Sequence, residues 1–236
     1  MPHVLQAIFE RRAVKVFDPV EIPEPVRRQI LDAARLAPSS FNIQPYRFYW
    51  IESPAKKEIA SKLCYGQSPA ATASALVVAV ADIGSWHSTA QDHVAWMRTA
   101  GFTPEKIAES ETKARLVKWF FIQGWFNVIG AAKWAILRTL HIWKIVGEAP
   151  YTRKDLFKWA IKSASLACQN LMIAAQALGY NTCPMEGFDF HRLSKFLGLS
   201  RRHHEIIMVI AIGKKSPRHD DQPQWRRPLE ATVTFL

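Results

Sequence analysis

The sequence predicts an α+β fold in which one sheet is sandwiched by many helices. Residues 75–81 (ALVVAVA) and 205–213 (EIIMVIAIG) are continuous apolar, β-rich runs, the pattern of central strands covered on both faces. The stretches around them carry apolar residues at helical spacing, and no internal repeat or low-complexity linker divides the chain. With 236 residues, 49% of them hydrophobic, there is ample material for one core, and residues 1–236 are read as one domain.

The elements follow in order. Residues 3–12 read as an amphipathic helix with Val4, Leu5 and Ile8 on one side and Arg11-Arg12 at its end. Pro25 suits a first helical position and opens 25–37, where Val26, Ile30, Ala33, Ala34 and Ala37 make one stripe. Pro38 cannot continue that helix, and Ser39, Ser40 and Asn42 favour a turn. Phe48, Tyr49, Trp50 and Ile51 mark a strand over 47–52, after which Ser53 is placed as the N-cap of a helix over 54–63. Residues 105–149 contain no proline and read as mostly helical, and 155–178 is a second long helical stretch closed by Gly179. At the end, 231–235 alternates Val233 and Phe235, the pattern of an edge strand.

Composition excludes disorder, a collagen-like chain and a disulfide-framed mini-protein. Cys64, Cys168 and Cys183 are widely spaced, form no CxxC pair, and offer neither a disulfide framework nor a zinc site. The N-terminus shows no signal peptide, so a reducing, cytoplasmic setting is expected. The formal charge of +11, from 31 Lys+Arg against 20 Asp+Glu, calls for an anionic partner: nucleic acid, an anionic membrane or an anionic cofactor. That charge is unevenly placed. No acidic residue lies between Glu111 and Glu148, and seven of the nine tryptophans lie between Trp86 and Trp159.

Four constellations offer chemistry. Arg11-Arg12-Ala13-Val14-Lys15 has the cation density that phosphate recognition needs, since Arg supplies a bidentate fork and Lys a point charge; taken alone, a solvated helix end is the favoured reading. The loop 38–45 (PSSFNIQP) offers hydroxyls and amides suited to a ring with alternating C=O and N–H edges. Residues 179–189 (GYNTCPMEGFD) join a long helix to a short strand and a turn, where Gly187 permits close backbone approach to something flat; Cys183, with no His in the motif, reads as buried structure. Residues 224–229 (QWRRPL) follow the last buried strand as a basic tail. His203-His204 is no ligand pair, because neighbours on a strand point to opposite faces; both read as surface histidines.

Taken in order, Arg-Arg-x-x-Lys, then APSSxNxQPxxF, then CPMEGFD, then Arg-Arg-Pro-Leu-Glu resemble the nitroreductase family of flavoproteins over residues 3–85 and 152–236. The resemblance implies a homodimer with a mostly antiparallel central sheet, FMN at the subunit interface, and a C-terminal strand added to the partner's sheet. NADH or NADPH would reduce the flavin, and a small-molecule acceptor (a nitroaromatic, quinone or activated alkene) would then take its electrons in ping-pong turnover. It also implies site residues. Arg11, Arg12 and Lys15 would hold the FMN phosphate, ribityl chain and pyrimidine edge. Ala13 stands where many members have Ser, leaving a backbone contact. Pro38, Ser39, Ser40 and Asn42 resemble the loop that reaches the flavin from the partner subunit. Gln67 falls near a polar ring contact. Pro184, Met185, Glu186 and Gly187 look like the segment under the flavin, and Arg226 like a late cation on the phosphate, with Gln224 where relatives have Lys. No residue is catalytic in its own right, because the flavin carries the chemistry. Reductive dehalogenation, flavin destruction, or a membrane-docked flavin binder with little turnover are the alternatives. No metal and no nucleic acid is expected.

Residues 86–150 form a variable helical insertion. Within it, 119–132 holds 14 uncharged residues, fewer than the ~20 a spanning helix needs. Drawn as one continuous helix, Arg115, Lys118, Lys133 and Lys144 fall within an arc of roughly 80°. A lid over the flavin is the favoured reading, with Trp119, Phe120, Trp125 and Phe126 as substrate contacts. Peripheral membrane contact through 113–146 comes second, and a nucleic-acid face third.

Overall fold

The computed structural model describes residues 3–124, 128–143 and 149–236, apart from the side chains of His3 and Phe120. α1 (His3–Glu10) leads into a two-residue strand, β1 (Phe17–Asp18), and then α2 (Glu24–Arg35), where Pro25 sits within the first two positions. A single 3-10 turn, Ser40–Asn42, precedes β2 (Tyr46–Ile51), α3 (Pro54–Leu63), α4 (Ser68–Thr72) and β3 (Ala75–Asp82). Next come α5 (Trp86–Thr99), α6 (Pro104–Phe121), α7 (Val128–His141) and α8 (Arg153–Ala177). The chain continues through β4 (Asn181–Met185), α9 (Phe190–Phe196) and β5 (His204–Lys215).

The sheet is antiparallel at every strand pairing. β3 lies between β2 and β5, and the far edge of β5 is shared: β4 takes its residues 209–213 and β1 takes Lys214 and Lys215. All eight residues of β3 are buried. Their alternation splits the core. Leu76, Val78 and Val80 pack with residues of α3, α4 and α9, while Ala75, Val77 and Ala79 pack with α2 and α8. Each buried Val or Leu contributes about 1.5–3 kcal/mol, so the strand is the main anchor of both layers. A bulge interrupts the β3–β5 ladder, where Ala79 pairs with Met208 but Val80 pairs with Ile206. α8 starts at a capping box, Thr152 with Asp155, and stops before Gly179 at φ 75°.

One sequence expectation is met without its side-chain bond, and four need correction. Ser53 does sit at the N-cap of α3, but its side chain makes no capping hydrogen bond. Residues 105–149 are not one helix. α6 ends at Phe121, Gly124 takes φ 72°, and the Gln123 carbonyl accepts from the N–H groups of Ile129 (3.1 Å) and Gly130 (3.2 Å). Gln123 Nε2 also donates to the Pro150 carbonyl at 2.9 Å, fixing the break against the next segment. The basic arc therefore does not exist as one face. Lys133 is 2% exposed and its Nζ donates to the carbonyls of Pro150 (3.2 Å) and Trp119 (3.5 Å), while Lys144 lies outside the described residues. The tail forms no strand within this chain: a 3-10 turn at Leu229–Ala231 lets the Leu229 carbonyl take the N–H groups of Thr232 (2.9 Å) and Val233 (2.8 Å), donors a ladder would need. Finally, His203 is exposed as expected, but His204 is partly buried with Nε2 3.7 Å from Asp82 Oδ2. No helix among the described residues is long and apolar enough to cross a membrane.

Candidate functional site

Residues 11–15 cross one end of the sheet beside β4. The Val14 N–H donates to the Thr182 carbonyl (3.1 Å), and Val14 and Phe17, each 1% exposed, plug the core. Alternation then turns Ala13 and Lys15 outward. Lys15 is held on three sides. Its N–H donates to His219 Nδ1 (3.2 Å), its carbonyl accepts from Ser68 Oγ (2.9 Å), and its Nζ lies 3.4 Å from Cys183 Sγ. Arg12 Nη1 donates to the carbonyls of Phe9 (2.6 Å) and Arg11 (3.1 Å).

Arg11 is different. Its Nη1 is buried and has no hydrogen-bond partner among the described residues. Burial, followed by the like charges of Arg226 and Arg12, pushes the guanidinium below its ordinary pKa. A guanidinium does not escape by losing its proton, so the group stays charged and needs an acceptor. Arg11, Arg12, Lys15, Gln224 and Arg226 line one hollow of about 320 Å³, which brings the two ends of the chain together around a cationic centre. An unpaired buried donor costs about 1–3 kcal/mol, and a phosphate or carboxylate oxygen would answer it with a charge-assisted bond.

The same region reaches the 184–187 segment. Cys183 and Met185 are buried on β4, whereas Glu186 and Gly187 emerge exposed at its end. Gln67 Nε2 donates to the carbonyls of Gly187 (2.6 Å) and Cys64 (3.0 Å), so the residue before α4 is tied to the segment beyond β4. A Cβ on Gly187 would stand 3.3 Å from that Nε2, which makes this a place where only bare backbone sits without displacing its neighbour. Arg11, Arg12, Ala13, Lys15, Gln67, Pro184, Met185, Glu186, Gly187 and Arg226 thus belong to one continuous region. Cys183 is fully buried within it, as expected of structure.

Pro38, Ser39, Ser40 and Asn42 do not join them in this chain. Their loop meets the opposite end of the sheet, where the Pro45 carbonyl accepts from the Asp82 N–H (2.9 Å). Thr182 and Ala75 both pair with Ile212, so the length of β3, about 23 Å for seven steps, separates the loop from residues 11–15, whereas Met185, level with Val78 across Val209, lies about halfway along. The loop is held in a costly shape: Phe41, Asn42 and Gln44 all have φ near +50°, about 1–2 kcal/mol each. Ser39 Oγ accepts the Gln44 N–H at 2.9 Å to support it, leaving Ser40 and Asn42 exposed. Of the four proposed lid contacts, Trp119 is exposed on α6. Trp125, Phe126 and the Phe120 side chain lie outside the described residues.

Sequence reasoning missed Ser68 and His219. Both position Lys15 through its own backbone, and contacts that span 53 and 204 residues leave no local signal. Among the described residues no group of His, Cys, Asp and Glu converges as a metal site.

A family model described as Nitroreductase family matches residues 8–214. The chain belongs to the nitroreductase family. Protein DrgA of Synechocystis sp. is 31% identical over 222 residues, covering 94% of this chain and 87% of that one. A Thermus thermophilus relative named NADH dehydrogenase is 28% identical, covering 97% of this chain and 94% of its own length. Among solved structures, a protein from Exiguobacterium sibiricum in complex with FMN superposes with a TM-score of 0.75 at 23% identity, covering 99% of this chain and 97% of that one. The bounds of the family match enclose residues 86–150, and the antiparallel sheet between helical layers agrees with the fold of the solved neighbours.

Proposed function

We propose that this nitroreductase-family chain is an FMN-dependent oxidoreductase, working as a homodimer, that passes electrons from NADH or NADPH to nitroaromatics, quinones or activated alkenes in ping-pong turnover. The observation that carries this reading is the unpaired, buried Nη1 of Arg11 in a hollow it shares with Arg12, Lys15 and Arg226. A dianionic phosphate is the complement of that cluster. FMN, when bound, supplies two-electron transfer between donor and acceptor, and the protein supplies binding, orientation and electrostatics.

Arg11, Arg12 and Arg226 would hold the phosphate end, with Lys15 set by His219 and Ser68 to face the ring's polar edge. Ala13 contributes backbone only. Pro184, Met185, Glu186 and Gly187 would lie along the ring, offering main-chain donors, and Gln67 fixes the Gly187 carbonyl so that this backbone keeps one orientation. The cations also favour negative charge on the bound group, which raises the stability of its reduced form.

A second copy completes the site, bringing its own Pro38, Ser39, Ser40 and Asn42. Support comes from the separation of these residues from Arg11 within one chain, and from apolar surface that one chain leaves open. Val4, Leu5, Ile8 and Phe9 are exposed on α1, and Trp225, Leu229, Val233 and Phe235 on the tail. In the dimer the tail adds its last residues to the partner's sheet, and 86–150 covers the flavin as a lid with Trp119 facing the acceptor.

Anaerobic titration of FMN-loaded protein with NADH and NADPH tests the reading. Loss of the oxidised flavin absorbance, its return on adding menadione or nitrofurazone, and parallel double-reciprocal plots are expected. A protein that takes up no FMN, or whose bound flavin stays oxidised under both donors, refutes it.

A further inference from the structure

A second cavity, of about 980 Å³, opens at the other end of the sheet from Arg11, where the Ile83 N–H donates to the His203 carbonyl at 2.9 Å. Its volume lies at the upper end of the range for small-molecule sites, about 300–1,000 Å³. The floor is apolar. Phe121 stacks near Trp86 (5.8 Å, 19°) and meets Trp159 edge-on at 4.5 Å, with Ile83 and Leu156 completing the surface.

The rim has the opposite character. Arg153 and Lys154 are the first two residues of the 25-residue α8, and Arg202 approaches from the turn before β5. All three side chains are exposed, and among the described residues none forms an ion pair. The neighbouring carboxylate, Asp155, is spent on the helix cap. It accepts from the Thr152 N–H (2.9 Å) and Oγ1 (2.8 Å), and Lys158 lies 3.6 Å away. The positive end of α8 adds to the same side. His203 lines the same side.

Apolar walls with three unpaired cations at one side select a molecule built the same way. We propose that this cavity binds a small amphipathic carboxylate, its head at Arg153, Lys154 and Arg202 and its aliphatic or aromatic body against Trp86, Phe121 and Leu156. A neutral apolar ligand would leave the rim unused. A highly charged one would have to lay its charge on the apolar floor. The rim cations lie outside the Arg11 hollow, and Trp86 and Phe121 belong to the 86–150 segment that the reading above places over the flavin; the proposal goes beyond that reading, and direct ligand titration tests it separately from flavin turnover.

Calorimetric titration of FMN-loaded protein with decanoate, below its micellar concentration, gives the test. One-to-one saturable binding is expected, with decanol weaker by about tenfold or more because it lacks the charged contact. The double variant K154E/R202E, changed only at exposed positions, should weaken decanoate by at least about tenfold and leave decanol and the flavin absorbance unchanged. Three outcomes overturn the proposal: no saturable decanoate binding, decanol bound as tightly as decanoate, or wild-type decanoate affinity in the double variant.

Discussion

Replacing Arg226 by alanine pulls apart two consequences of the cationic hollow that normally act together. In the protein without FMN, Arg226 is the second cause, after burial, that holds Arg11 below its ordinary pKa, so its presence is unfavourable. Removing it relieves a like-charge contact between partly solvated groups, worth at most about 1 kcal/mol, and the flavin-free protein should become equally or slightly more stable. With FMN bound, the same change deletes a charged donor to the phosphate. A hydrogen bond involving a charged group contributes about 1.5–3 kcal/mol, so the dissociation constant should rise by roughly 10- to 150-fold. The dependence on salt should also become shallower, because one fewer cation is being screened. Equilibrium FMN titration at two ionic strengths, alongside urea denaturation of the flavin-free protein, measures both halves. An affinity within about threefold of wild type, or a clear loss of stability without FMN, would show that Arg226 serves the fold rather than the anion.

Other outcomes follow from geometry elsewhere. Gln67→Ala removes the donor that serves both the Gly187 and Cys64 carbonyls, costing about 0.5–1.5 kcal/mol per bond, and FMN affinity should fall with it; unchanged affinity would detach Gln67 from the site. Asp82 is 1% exposed and accepts from Arg47 Nε (2.6 Å) and the Gly84 N–H (2.8 Å), so Asp82→Ala should lose about 2–4 kcal/mol in chemical denaturation. Burial pushes the Cys64 thiol up to about 11 and the Cys168 thiol up to about 12. Folded values above the unfolded one mean that this contribution is intact below about pH 8.5 and is lost as pH rises toward those values, by up to about 1.4 kcal/mol per unit for each thiol. Urea midpoints between pH 8 and 10 should therefore fall less steeply in C168A than in wild type, and identical slopes would contradict the burial argument.

The strands were legible because their burial is written in composition. Residues 75–81 are apolar on both faces, and only a position between two helical layers accepts that. The helix stops set by Pro38 and Gly179 were equally local. The break after Phe121 was not, because what fixes it is a Gln123 amide reaching the Pro150 carbonyl, a contact that no periodicity reports. Lys133 misled for the same reason: charge in a sequence reads as solvated surface, and here carbonyls of Trp119 and Pro150 receive it inside the protein. In the candidate site, the motifs near residues 11–15 and 184–187 were visible separately. Their union with Gln67, His219 and Arg226 depends on β4 and β1 sharing one edge of β5, which is a fact of topology.

The bulge between β3 and β5 has a bearing on how this chain tolerates change. Past it, the alternation of β5 reverses: Val209 and Ala211 share a layer with Ile206, although one odd and one even number would ordinarily face apart. That reversal is what sets His204 opposite Asp82, and with it the corner formed by Arg47, Asp82 and Gly84. Deleting Ile207 would remove the bulge and leave Ile206 opposite Val80 and His204 opposite Asp82, so both parts of the strand keep their present faces, whereas deleting Glu205 would turn His204 to the other face and leave residues 206–215 in place. The change at Glu205 would leave the end beside Arg11 and Lys15 untouched and rebuild the end beside Arg202 and His203. A single-residue deletion is thus a route by which one end of this sheet can diverge while the other is conserved.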